Sequence, residues 1–395
     1  MSQNALTPHW GAVLAMSLAA FALVASEFMP VSLLTPLAAD LHISEGQAGQ
    51  GISVSGLFAL LTSLAIAAVA ARVDRKGLLL ALTVLMILSG TVVALAPNYL
   101  AFMLGRALIG VAIGGFWSLS AATAMRLVPA AQVPRALALV NGGNALATVI
   151  AAPLGSFLGG LIGWRGAFFC VVPVAIVASV WLLISLPSIK ADAAAKTGNV
   201  FRLMKSTPVA LGMAAASVFF MGQFMLFTYL RPFLENVTQV SVPTLSLMLL
   251  VLGLTGLAGT FLIERVLKNS LYFTLMAIPL VMAVIALGLV AVGRSPTATT
   301  VLLGLWGLIA TAAPVAWWTW LSRVLPNDAE AGGGLMVAII QLAIASGATL
   351  GGVVFDLSGY RATFELSAAL LGVASLLAYQ TSRCSAAAHK AIRTT

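Results

Sequence analysis

Charge is the scarcest property of this sequence: Asp, Glu, Lys and Arg together make up 8% of its 395 residues, against about 25% in soluble domains. So few charges cannot dress a water-exposed surface, which excludes a soluble enzyme. It also turns the net charge of +9 from a sign of nucleic-acid binding into a question of where the charges sit. Cysteine is nearly absent. Cys170 falls in an apolar run and Cys384 in a polar tail, environments too different for a disulfide, so both are expected to be inert. No GxxxxGK[ST] sequence occurs, so ATP does not drive this chain directly. No HExxH or paired-carboxylate pattern occurs either, and the polar connections are too short for a catalytic domain. Neither an enzyme nor a metal site is expected.

What fills the space is apolar: 61% of residues are hydrophobic, against about 45–50% in ordinary soluble domains. Runs of 18 or more charge-poor residues recur throughout, long enough to cross a bilayer as helices. Twelve are expected, at 10–38, 48–71, 78–96, 98–125, 136–162, 166–187, 208–231, 244–264, 271–293, 298–322, 334–357 and 362–381. With the N-terminus inside, fifteen of the 20 Lys and Arg lie in internal segments. Arg165, Arg231, Arg294 and Arg361 fall in external loops, and Arg106 lies within a span. This bias puts both termini in the cytoplasm. The first run is too long, and too poor in preceding basic residues, for a cleaved signal peptide.

Within the first run, residues 25–36 read ASEFMPVSLLTP and place Glu27 near the middle of an otherwise uncharged stretch. A charge at mid-membrane costs roughly 2.5–3.5 kcal/mol on insertion scales, so Glu27 should face a cavity or a partner rather than lipid. Pro30 and Pro36 have no N–H, which frees the carbonyls of Ser26 and Ser32 and should bend the helix there. Arg106 is the candidate partner. Counted from the centres of their runs, the two residues differ in depth by only ~5 Å.

The sequence repeats at an offset of 196, which brings Phe28 onto Phe224, Pro36 onto Pro232, Gly155 onto Gly351 and Trp164–Arg165 onto Tyr360–Arg361. At 197, Gly110 falls on Gly307 and Arg126 on Arg323. Such duplication underlies transporters whose substrate binds near the midplane. The expected organisation is an all-α membrane protein with two pseudo-symmetric six-helix bundles, 1–187 and 208–395, joined by a polar cytoplasmic linker at 188–207. Glu27 maps to Gln223 and Arg106 to an apolar position, so charge coupling is assigned to the first half and pocket shape to the second.

Three motifs carry a resemblance. Residues 70–79 read AARVDRKGLL, with Asp74, Arg75 and Gly77 in place but Ala70 and Leu78 departing from the pattern. Arg106 and Gly110 keep the spacing of a proton-linked arginine motif, and APLGS at 152–156 contains Pro153 and Gly155. The chain resembles the major facilitator superfamily, specifically its twelve-span proton antiporters of the drug-efflux type. EFMPVSLLTP at 27–36, GGFWSLSA at 114–121 and APLGSFLGGLIGWR at 152–165 are similar to bacterial exporters of purine ribonucleosides, and sugar and drug exporters share several of these blocks. The resemblance implies export of a small neutral solute across the bacterial inner membrane in exchange for protons entering down their gradient. No other cofactor, nucleic acid or second protein chain is implied, so the carrier is expected to be a monomer. It links Arg106 to proton transfer, which favours reading Glu27 and Arg106 as a proton-coupling pair over a fixed structural ion pair, and makes Asp74, Arg75, Gly77, Pro153 and Gly155 gating elements.

Asn141, Asn144, Gln223 and Gln341 are neutral hydrogen-bonding groups in membrane runs and fit a hydroxyl-rich or heteroaromatic substrate; interhelical bonding is the competing reading. Phe116, Trp117, Phe224, Tyr229 and Trp306 could stack on a base, or only pack. Trp317, Trp318 and Trp320 are expected as interfacial anchors. Gly114, Gly115, Gly142, Gly143, Gly351 and Gly352 are expected to let helices approach closely. Arg361 and Glu365 read as a surface pair of small worth.

Overall fold

The computed structural model describes residues 8–70, 72–189, 200–325 and 329–394. Twelve α-helices run through them: α1 Trp10–Leu41, α2 Glu45–Ala70, α3 Arg75–Ala94, α4 Tyr99–Leu127, α5 Val133–Phe169, α6 Val171–Ser185, α7 Thr207–Thr228, α8 Leu230–Asn236, α9 Val242–Val292, α10 Pro296–Ala310, α11 Ala312–Val324 and α12 Ala329–Thr394. Their starts are written locally. Asp74 accepts the Lys76 N–H at the head of α3 and Asn98 the Ala101 N–H at the head of α4, each satisfying a donor the first helical turn leaves free. Proline stands in the opening positions of α5, α7, α9 and α10, where its missing N–H costs nothing.

Helix and span do not coincide one to one. Ten apolar helical stretches are long enough to cross a membrane among the described residues, and two of them, Ala130–Ser185 and Gly332–Ser385, are 56 and 54 residues long. Each of these turns at a glycine with positive φ, Gly163 (75°) and Gly359 (79°), a backbone region that side chains resist. The two glycines sit at equivalent places in the repeat, ahead of Trp164–Arg165 and Tyr360–Arg361.

The chain divides into two compact units, Met1–Ile43 with Val54–Thr197, and Ser44–Ser53 with Gly198–Thr395. In unit 1, α1 packs along α5 and α6 and α3 along α4, around Met16, Leu79, Ile109, Phe116 and Leu182. The α1–α5 approach is close because a Cβ on Gly143 would stand 2.0 Å from the Ser17 carbonyl oxygen. The Ser17 hydroxyl answers by donating to the Leu139 carbonyl at 2.7 Å. Between α2 and α4, Gly114 meets Ala59 in the same way, whereas Gly142 faces open space and is not a contact glycine. In unit 2, α7 packs on α12 and α9 on α10 and α12.

Three sequence expectations are corrected here. Trp317 and Trp320 are buried, at 2% and 0% exposure, and Trp320 fills the space a side chain on Gly212 would need; only Trp318 is exposed in the manner of an anchor. Arg231 is not a loop charge. It lies buried on α8 and donates from Nε to Glu235 Oε1 at 2.8 Å, because the helix resumes immediately after Tyr229. Gly142 is the third, since its neighbour Gly143 takes the α1-facing side of α5.

Candidate functional site

The most heavily built polar centre of unit 1 starts from Pro30. By withholding an N–H, it leaves the Ser26 carbonyl without its helical donor. Arg106 of α4 supplies one: Nη1 donates to Ser26 O at 2.8 Å, and Nη2 to Glu27 O at 3.2 Å and to Ser55 Oγ at 3.0 Å. The Arg106 side chain is fully buried, and Glu27, at 8% exposure, lies close enough for its charge to act on it. The guanidinium is thus held on two main-chain oxygens and one hydroxyl, none of which depends on the charge of the carboxylate beside it. In a site this buried, a charge acts through a far lower dielectric than it would in water.

The α5 motif reaches the same helix one turn further on. A Cβ on Gly155 would lie 2.6 Å from Ser32 Oγ, and that hydroxyl donates to Met29 O at 3.0 Å. Pro153 is buried nearby in α5. The prolines of α1 and the small residues of α5 thus bring the two backbones together just beyond Glu27.

The neutral candidates divide between the units. In unit 1, Asn141 is exposed and donates to its own helix at Leu137 O (3.0 Å), and Asn144 is half-buried. Phe116 is buried against the half-buried Trp117, edge to face at 5.8 Å. In unit 2, the Oε1 atoms of Gln223 and Gln341 are buried and accept no hydrogen bond among the described residues. Phe224 packs edge to face on Phe227, and Trp306 is buried. Tyr229 is committed to packing, with its hydroxyl donating to Ala348 O at 2.8 Å and its ring stacked on Phe355.

Asp74 has two tasks. One carboxylate oxygen caps α3 through the Lys76 N–H at 2.7 Å, and the other accepts the hydroxyl of Ser188. The Ser188 bond, helped by the Lys76 N–H against the opposing effect of burial, holds this carboxyl below the usual aspartate range. Arg75 N donates to Ile189 O at 3.1 Å, so the inner-loop motif grips the start of the linker. Gly77 meets nothing within 4 Å.

Three polar centres escaped the sequence reading. The Arg231–Glu235 pair had a signal in its four-residue spacing. Arg165 bonds both Asp40 and Ala96 O and lies over the Trp164 ring at 4.3 Å, while Asp356 meets the start of α2. These last two join residues too distant in sequence to be paired by any local rule.

The pattern of the Major Facilitator Superfamily matches residues 16–337. The chain is 63% identical over 383 residues to the protein named transcription regulatory protein OpdE of Pseudomonas aeruginosa, covering 96% of this chain and 95% of that one. It is 41% identical over 370 residues to the purine ribonucleoside efflux pump NepI of Salmonella paratyphi B, covering 94% and 93%. Among solved structures it is similar to a bacterial homologue of the human lysosomal transporter Spinster (TM-score 0.78, 16% identity, 97% and 98% covered). It is also similar to the human organic anion transporter MFSD10 (TM-score 0.67, 18% identity, 94% and 100% covered). At these identities the structural likeness speaks for the fold alone.

Proposed function

Because this chain belongs to the Major Facilitator Superfamily, a family of multi-pass transporters and not of enzymes, we propose that it exports purine ribonucleosides across the bacterial inner membrane in exchange for protons. Twelve spans with both termini inside are part of the reading. The two stretches of 56 and 54 residues are each more than twice the roughly 20 a crossing needs; counted as two crossings apiece, they bring the ten stretches to twelve. The positive-inside bias supports an orientation with both termini inside.

The observation that carries proton coupling is the Arg106 geometry: a buried cation fixed on the α1 backbone with the Glu27 carboxylate in its field. Proton uptake by Glu27 from outside weakens the hold on substrate, and proton release inside restores it. The occupied or protonated carrier crosses and the empty charged one does not. The nucleoside assignment leans on the 41% identical relative and on the unpartnered amide oxygens of Gln223 and Gln341, which suit a neutral solute rich in N–H and O–H groups. Asp74, Arg75 and Gly77 act as the inner gate, a reading favoured by the bonds of Asp74 to Ser188 and of Arg75 N to Ile189 O.

In reconstituted vesicles, an imposed pH gradient should drive inosine and guanosine uphill, ahead of chloramphenicol and arabinose. Glu27→Gln should abolish that accumulation while sparing exchange. Flux of the drug or the sugar alone would move the substrate assignment, and uphill flux through Glu27→Gln would move the proton elsewhere. A second reading, a membrane receptor that acts on transcription without transport, has the printed name of the 63% identical relative in its favour. It predicts no flux of any of the four solutes.

A further inference from the structure

We propose that Asp356 is a latch: its carboxylate closes the first turn of α2 from a different helix, and letting go of that turn frees the starting end of α2 during transport. The helix begins with a reciprocal cap. Gln47 N donates to Ser44 Oγ and Ser44 N to Gln47 Oε1, both at 3.0 Å, the box expected of Ser-x-x-Gln. That leaves the Gly46 N–H to be satisfied from elsewhere. Asp356 of α12 accepts it at 3.0 Å on Oδ1 and accepts the Ser44 hydroxyl at 2.5 Å on Oδ2. The Ser44 hydroxyl is thereby used as both donor and acceptor. The carboxylate also sits at the positive end of the α2 dipole, and bonds to a charged acceptor are about twice as strong as neutral ones.

The rest of the seam is narrow and polar. A Cβ on Gly46 would stand 2.3 Å from Asp356 Oδ2, and one on Gly49 2.1 Å from the Tyr229 hydroxyl. Further along, Ser53 Oγ donates to Ala345 O at 2.9 Å and accepts from Thr349 Oγ1 at 2.8 Å. Positions 345, 349, 352 and 356 form one stripe of α12, spaced by three and four residues. A seam of glycines and hydroxyls can part without emptying a large apolar socket. Asp356 is itself exposed, so on release it passes to water at little cost. The repeat places Gly160 where Asp356 would have its counterpart, so only one half of the sequence carries the carboxylate.

The latch rests on the transport reading only in taking its release as a step of the cycle, and its test needs no substrate. Full-length protein with Cys170→Ser and Cys384→Ser receives Ser53→Cys as a probe, and a membrane-impermeant maleimide is applied to cells and to inside-out vesicles. The parent should label slowly. Asp356→Ala should raise the rate from one side on the order of tenfold, from the usual worth of a helix cap, and Ser44→Ala by a few fold. Gly46→Ala is a steric control. Alanine favours the helix but would crowd both Asp356 and the Gly352 carbonyl, so it reports how far the seam opens without a weaker α2, and the share of the carboxylate is read from Asp356→Ala and Ser44→Ala. Unchanged rates in both Asp356→Ala and Ser44→Ala would overturn the latch. So would an equal rise at a probe placed on the buried Thr123 of α4, which would signal general loosening. Should Asp356→Ala fail to reach the membrane, Asp356→Asn and Ser44→Ala carry the same test.

Discussion

The two units differ most where their first helices carry the repeat. In unit 1, α1 has Pro30, a freed Ser26 carbonyl, Glu27, and Arg106 arriving from α4 to bond the backbone. In unit 2, the repeat positions hold Leu226, Gln223 and Leu303, so the proline, the carboxylate and the arginine are missing together. They form a set. A proline frees a carbonyl, which at Ser26 is satisfied by Arg106, and a buried guanidinium needs acceptors and a counter-charge. Removing all members leaves an ordinary helix contact; removing one leaves an orphan.

The largest expected effect follows from breaking the set. Arg106→Leu, which copies unit 2, should cost about 3–5 kcal/mol by leaving the Glu27 charge unpaired, read as a lowered melting temperature in detergent. Adding Glu27→Gln should recover much of that loss without restoring proton-driven flux. A single Arg106→Leu variant as stable as the parent would show that the arginine is not holding α1.

A smaller effect should be equal in both units. Gly163 (φ 75°, ψ 165°) and Gly359 (φ 79°, ψ −177°) adopt the same backbone turn. Alanine at either should cost about 1–3 kcal/mol, and free tolerance of one would break the symmetry of the two turns. The smallest effect belongs to Asp40. It pairs with Arg165 at partial exposure, whereas unit 2 has Asn236 at the repeat position and leaves Arg361 with Tyr360 and Glu365. Asp40→Asn should cost no more than about 1 kcal/mol in the same melt; a larger loss would make the clamp a real difference between the units.

What could be read from the sequence was what depends on local rules. The freed Ser26 carbonyl follows from helix geometry at Pro30, and the matching depths of Glu27 and Arg106 follow from rise per residue. The turn regions near 163 and 359 follow from apolar length. Burial of Trp317 and Trp320 was not legible, because an aromatic at the end of an apolar run looks alike whether it meets lipid headgroups or Gly212. Gly142 and Gly143 were indistinguishable until packing chose the face of α5. Arg231 was misplaced because hydropathy fades before the helix ends. Asp356 and Ser44, 312 residues apart, share no local pattern at all.

The bonds from Arg106 to the α1 main chain have a mechanical meaning. A side-chain carboxylate can lose its grip when it takes a proton, but a peptide oxygen does not titrate in the working pH range. In the proposed cycle, neutralising Glu27 therefore leaves Ser26 O and Glu27 O tied to Arg106 and α1 joined to α4. On that reading a change of charge at Glu27 loads the two helices together, as a force loads a beam, rather than prising them apart.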